Sequence, residues 1–288
     1  MSQEQLAEKL NVSRQAVTKW ETGAGVPDID NLRSISALFH VSLDFLLDNE
    51  IQTAPPQDFL YDSTTEYDID QEKSFDIALA GARQVTLTAY AGEKFQLRLA
   101  SDQIPDIQSA FKVKLDDVKQ RIDVDVHRFG DMTEAQAKAS VYVFLRFPQQ
   151  YVKRIEVAGS TDTLILSELR AENVEFSGKA ASVRMSGVTG HVELNCNLDM
   201  GLFCESLDGR LDVNQISATS RLTLPAGTPF LAVTRGLANS IRYEKDGEPA
   251  EPFSLDASGA QGCENVIELN GMKSELVINA LSAPAPGV

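Results

Sequence analysis

Arg14, Gln15, Thr18 and Lys19 lie one, three and four residues apart in the segment SQEQLAEKLNVSRQAVTKWETG, residues 2–23. They are side chains that read nucleic acid: Arg and Lys donate to guanine, Gln pairs with adenine, and Thr meets a methyl group or a phosphate. On a helix of 3.6 residues per turn these four point outward, while Ala16, Val17 and Trp20 face inward. Ser13 is placed to cap that helix and Gly23 to end it. An upstream helix must hold it in place. Leu6, Ala7 and Leu10 share one face of a helix beginning at Ser2, with Gln5 completing a capping-box pattern. Asn11 stands where that helix stops, and Asn tolerates the left-handed conformation. Val12 tucks under the turn. Ala7 is small where two steeply crossed helices come closest.

After a loop over 24–27, Asp28 caps a helix with an apolar stripe of Ile29, Leu32, Ile35, Leu38 and Phe39. Ser42 caps a further helix containing Leu43, Phe45, Leu46 and Leu47. His40 sits at a helix end, where a histidine suits the dipole.

The stretch NVSRQAVTKWETG resembles the recognition turn and helix of the phage-repressor-type (Cro/C1, XRE family) regulators, and VPDIDNLRSISALFHVSLDFLLD is similar to the two helices that follow there. The resemblance implies that Arg14, Gln15 and Lys19 reach bases, that Thr18 lies beside them, and that Gln3 and Ser13 hold phosphates. It also implies a homodimer on double-stranded DNA, with inverted half-sites about one helical turn, ~34 Å, apart. One departure stands out. Family members carry another amphipathic helix before the equivalent of Ser2, whereas this sequence begins at Met1. Either translation starts upstream, or the domain packs without that helix and leaves part of Leu6, Val17 and Leu32 uncovered. The reading frame upstream of Met1 would distinguish the two.

The chain has 288 residues, 43% of them hydrophobic, which is enough for two domains, and a formal charge of -16. That balance excludes a protein that coats nucleic acid with its whole surface, though not a small reading head. Over residues 1–23, Lys9, Arg14 and Lys19 offset Glu4, Glu8 and Glu21. Weak non-specific binding and a need for dimerisation follow. Cys196, Cys204 and Cys263 form no CxxC pair and have no nearby histidine pair. They read as reduced, buried thiols, and no metal or other cofactor is expected. No signal peptide or membrane-spanning run opens the chain, so a cytoplasmic location without membrane attachment is expected.

Residues 51–75 break the helical period with Pro55, Pro56 and a run of acids, and read as an acidic linker between a head at 1–50 and a β-domain at 76–288. From there the period is two. FDIAL, QVTLTAY, KFQLRLA, FKVKL, RIDVDVH and SVYVFLRF alternate as half-buried strands, and 131–139 reads as a loop or short helix. Asp123 and Asp125 fall with Arg121 and His127 on the polar face of one strand, which argues against a paired acid and base. Apolar pairs then recur every nine to eleven residues, from Ile155 and Val157 through Leu164 and Leu166 to Leu222 and Leu224, with glycines between them. Repetition of this kind fits a β-solenoid or a meander folded into a sandwich.

The turns in FSGKAASVRMSGVTGHVELNC and the closing NVIELNGMKSELVINA resemble bacterial adhesin-like β-repeat domains of unknown function over about 200 residues. That resemblance implies a β-solenoid or β-roll with an irregular first part. Residues 225–252, rich in proline, read as a cap or an excursion from the stack, after which FSLDA and ENVIELNGMKSELVINAL return to strand. The final SAPAPGV reads as frayed.

The fold class is therefore α + β multidomain: a small helical head lacking its first helix, then a mostly-β domain. No GxSxG, GxGxxG, GxxxxGK or HExxH motif is present, and His40, His127 and His191 are scattered, so no catalysis is expected. The sequence supports a DNA-binding regulator whose β-domain dimerises or senses an effector. The alternative is a β-repeat interaction scaffold whose head no longer binds DNA.

Overall fold

The computed structural model describes residues 3–21, 25–39, 59–255 and 264–282. The caps expected at Ser2 and Ser42, the stop at Gly23, the last helix of the head, His40, Cys263 and residues 283–288 of the tail fall outside these residues, while Ser282, at the start of the tail read as frayed, is held by Asp246 at 2.8 Å. Three helices come first: α1 (Gln3–Leu10), α2 (Arg14–Glu21) and α3 (Ile29–Phe39). A large β-region follows.

Its elements are β1 (Tyr61–Asp68), β2 (Lys73–Ala78), β3 (Ala82–Tyr90), β4 (Lys94–Ser101), α4 (Ile107–Ala110), β5 (Phe111–Val118), β6 (Arg121–Arg128), α5 (Glu134–Ser140), β7 (Tyr142–Pro148), β8 (Val152–Ser167) and β9 (Arg170–Ser186). They continue with β10 (Thr189–Cys196), β11 (Gly201–Cys204), β12 (Asp208–Ile216), β13 (Thr219–Pro225), β14 (Leu231–Thr234), β15 (Ser240–Lys245), β16 (Glu248–Pro249), β17 (Val266–Met272) and β18 (Glu275–Leu281). The short helix α5 arises where 131–139 allowed one, and its start is fixed by a capping box between Thr133 and Gln136.

Parallel pairing organises the β-region into two ladders. In the first, the order in space is β6, β2, the first half of β8, the first half of β9, β10, β12, β17 and β14. In the second it is β7, β3, the second halves of β8 and β9, β11, β13, β18 and β15. The apolar pairs stack in register: Phe75, Ile155, Val174, Val192, Leu211 and Ile267 form one buried column of the first ladder. Val85, Leu164, Val183, Leu202, Leu222 and Ile278 form a buried column of the second. Both columns belong to one hydrophobic cluster. Stacked partners such as Ile155, Val174, Val192 and Leu211 are 18 or 19 residues apart, so one structural rung spans two of the sequence intervals. These parallel pairings do not follow the antiparallel neighbour-to-neighbour order of a meander.

Chain order and spatial order differ at both ends. β8 skips β6 and β7 to stack on β2 and β3, and β17 and β18 insert between β12 and β13 on one side and β14 and β15 on the other. Residues 225–252 thus build the outermost rung, as the cap reading anticipated. Of FSLDA, residues 253–255 are described and form no strand, Leu255 making an isolated bridge to Leu231; Asp256 and Ala257 lie outside the described residues. The acidic stretch read as a linker also needs correction, because β1 lies inside it and pairs antiparallel with β4. Asp62, Glu66 and Asp68 are the outward acids of this edge strand, where charge discourages further pairing, and Asp62 and Glu66 are held by Arg98 and Lys94. The first part is anchored by Phe75, Phe95 and Phe147, with ring centroids 5.0–5.4 Å apart.

Asp123 and Asp125 lie half-buried on the outward side of β6, with Asp123 paired to Arg121, as alternation required. Lys73 is 3% exposed, and its three ammonium protons face Asp117 Oδ1 at 2.6 Å, Asp117 Oδ2 at 2.9 Å and the Lys119 carbonyl at 2.6 Å. Cys196 and Cys204 are free and buried, and burial pushes each thiol up to about 11.

At the bend where β8 and β9 cross from one ladder to the other, Gly178 has φ +141°, and a Cβ there would lie 1.9 Å from the Gly159 carbonyl oxygen. Gly130 also has positive φ, +63°, but open space around it. Gly178→Ala is therefore expected to cost about 3 kcal/mol and Gly130→Ala about 1 kcal/mol, read from urea unfolding midpoints. Equal costs would show that the bend relaxes. The raised thiol pKa values predict that Cys196 and Cys204 resist iodoacetamide at pH 8 in the folded chain and react once it is unfolded, as checked by peptide mass mapping.

Candidate nucleic-acid interface

The elbow between α1 and α2 is built from backbone bonds that few sequences satisfy. Asn11 takes φ 55°, its N–H donates to the Glu8 carbonyl at 3.2 Å, and the Val12 N–H donates to the Ala7 carbonyl at 2.9 Å. These two bonds make a Schellman motif, which satisfies carbonyls that the end of α1 would otherwise leave unpaired. Ser13 then starts α2, its Oγ accepting from the Ala16 N–H at 3.1 Å. Asp28 does the same for α3, accepting from the Asn31 N–H at 2.8 Å. Ala7, Leu10 and Val17 are buried between the helices.

Val17 corrects one expectation. Leu6 and Leu32 are half-buried, as anticipated, but Val17 is fully covered because it faces the α1–α2 contact. Ile29, placed on the apolar stripe of α3, is 60% exposed as that helix's first residue.

With the inner face closed, α2 turns Arg14, Gln15 and Lys19 to solvent, with Thr18 half-buried among them. At 100° per residue these four cover an arc of about 140°, the width of a groove-reading face. Thr18 Oγ1 lies 3.1 Å from Gln3 Oε1 and 3.0 Å from the Arg14 carbonyl. A hydroxyl has one proton, so it serves one acceptor fully or shares between two. Either way Gln3, fifteen residues upstream, is tied to the exposed face, and no spacing rule in the sequence signals that contact. Ser13 is exposed, and its hydroxyl proton remains available while its lone pair caps the helix. The Gly25 N–H donates to the Lys19 carbonyl at 3.1 Å, closing the C-terminal end of α2. Arg14, Gln15, Thr18 and Lys19 therefore share one side of α2, with Gln3 tied to it through Thr18, while Ser13 lies at the start of that helix, outside the arc.

Elsewhere, a cleft of about 620 Å³ gathers His127, Arg128, Glu134 and Ser160 at a corner of the β-region. Its Arg128 guanidinium is already engaged by the Ala80 carbonyl. His191 Nε2 lies 3.0 Å from Asp212 Oδ2 within a stacked ion network, not in a cleft. Among the described residues no helix is long and apolar enough to cross a membrane.

Comparison with known proteins agrees with the geometry of the helices. The helix-turn-helix family model matches residues 1–46. Over 50 residues the chain is 52% identical to the HTH-type transcriptional activator BcrR of Enterococcus faecalis and 42% identical to the uncharacterized HTH-type transcriptional regulator YqaE of Bacillus subtilis. Each match covers 17% of this chain, and the chain spans only 24% and 43% of the length of these relatives. Among solved structures, a protein from Clostridium sporogenes named for cell adhesion matches 77% of this chain and 100% of its own, with TM-score 0.38 and 9% identity. One from Bacteroides fragilis named as an adhesin matches 76% of this chain and 97% of its own, with TM-score 0.35 and 12% identity. The segment that these sequence matches identify is the N-terminal one: residues 1–46 carry a helix-turn-helix of the kind found in HTH-type transcriptional regulators.

Proposed function

We propose that the chain is a sequence-specific DNA-binding transcription regulator, with a reading head over residues 1–50 carried on a β-region that dimerises it. The observation that supports this most directly is the exposed arc of α2. Arg14, Gln15 and Lys19 are exposed beside a capped, tightly closed elbow, which is how a recognition helix is presented to the major groove. In this reading Arg14, Gln15 and Lys19 contact bases, Thr18 lies against them, and Ser13 and Gln3 engage phosphate. The parallel stack is read as a β-solenoid, a rigid body whose role is assembly and not catalysis. The protein acts in the cytoplasm, on an operator with inverted half-sites.

Selection from a random duplex pool by the full chain is expected to enrich a palindromic motif. Arg14→Ala or Gln15→Ala should then weaken binding to that motif by about 1–3 kcal/mol and relax the choice of base at one position per half-site. Ser13→Ala should weaken binding evenly across sequences and leave its salt dependence unchanged, because a serine hydroxyl neutralises no phosphate. Failure to enrich any motif at low salt would reject the regulator and leave the β-region as the functional part.

A further inference from the structure

The corners that join the two ladders carry an exposed row of large apolar side chains on the last three rungs. Ile216 pairs in register with Met272, and Met272 bridges to Leu237, so the three lie on adjacent strands about 4.8 Å apart. Ile216 is 49% exposed, Met272 40% and Leu237 66%. On an earlier rung the corner residue is Lys179, and the next carries Asn197, so the row is confined to one end of the stack. Single exposed apolar residues are ordinary; a contiguous row marks a contact surface.

Charge indicates what covers it. The chain carries 42 Asp and Glu and a formal charge of -16, so two copies repel each other over most of their surfaces. The three corners, NQISAT at 214–219, TRGLANS at 234–240 and NGMKS at 270–274, contain no acidic residue and bear Arg235 and Lys273. Here two copies can approach without placing carboxylate against carboxylate. The outermost strand β14 lies beside the row and pairs with β17 on one side; on its other side, among the described residues, the bridge from Leu231 to Leu255 is its only strand pairing. A partner seated on this end therefore also shelters an open strand edge, which a stack of repeats needs at its termini.

We propose that the row of Ile216, Met272 and Leu237 is the centre of an isologous interface with a second copy of this chain. The inference rests on the dimeric reading above and names the surface that carries it. A two-fold axis through the row sets each apolar side chain against its counterpart, and Arg235 and Lys273 form the rim.

The test is the mass of the full chain without DNA, by sedimentation equilibrium over a range of concentrations. Wild type should be dimeric, and Leu237→Glu with Met272→Glu should weaken the dimer by at least about 30-fold while leaving the circular dichroism spectrum unchanged. A dimer that persists in the folded double variant would overturn the assignment of this surface and leave the dimeric regulator intact. A wild type that stays monomeric would overturn both. Should the double variant fail to fold, Leu237→Cys gives an independent reading, since that position is exposed in one copy and central in two. A short bismaleimide should then link two chains of the variant in a yield well above that of the parent, which keeps Cys196, Cys204 and Cys263. No additional linkage would overturn the proposal.

Discussion

Two strands that run parallel and in register share every neighbour, so what one rung places at a position the next must tolerate about 4.8 Å away. Nearly all of the β-region follows from that constraint. Inside, it demands apolar residues at the same two positions of each half-rung, and the columns running from Phe75 to Ile267 and from Val85 to Ile278 meet it without a polar interruption. At the bends it demands backbone approach that no side chain permits, which is why Gly178 stacks over Gly159 there.

Outside, the same constraint creates a difficulty that the sequence resolves rung by rung. Between the apolar columns of the first ladder stand Asp123, Asp76, Glu156, Glu175, Glu193, Asp212 and Glu268, each beside the next. Two unit charges at that spacing repel by about 1 kcal/mol in water and several times more near a protein surface. For the half-buried Glu175 and Glu193 an amide from the following rung reaches across: Asn195 Nδ2 lies 2.8 Å from Glu175 Oε1, and Asn214 Nδ2 lies 2.7 Å from Glu193 Oε1. Where the acids are buried, full cations appear. Arg210 bridges Asp212 at 2.7 Å and Glu268 at 2.6 Å, with Arg235 adding a second contact to Glu268 at 3.0 Å. The two buried acids of the column thus share Arg210, as the cost of desolvating an unpaired charge requires, while Asp123 at the other end pairs with Arg121.

Alternation and repeat length were legible because they are local: strand positions, inward residues and the helix caps at Ser13 and Asp28 follow from neighbours within four residues. Asn11 in the left-handed region was legible for the same reason. The order of rungs was not, since the insertion of β17 and β18 before β14 and β15 depends on pairings 30 to 60 residues apart, and every rung has the same apolar signature. Nor was β1, because an acidic edge strand and an acidic tether have the same composition; only pairing with β4 separates them. At the candidate site the residue types were legible and one contact was not, the bond from Thr18 to Gln3 across the elbow.

The head and the stack differ in how much holds them. Among the described residues the helices bury Ala7, Leu10 and Val17, whereas the β-region has a continuous apolar core over its whole length. Beside these contacts, the elbow's backbone bonds and caps fix the geometry of the described helices. An exposed ion pair from Lys9 to Glu248 joins α1 to the β-region, and such a pair constrains little in salt. The head's charges also cancel over residues 1–23, which denies it the general attraction to phosphate that most DNA readers use. In the dimer proposed above, a head whose charges cancel gains from being held in pairs, because two sites joined at a set distance bind a matching duplex far more tightly than either alone. In that proposed dimer the β-region, with its continuous apolar core, is the part of the chain that sets the distance.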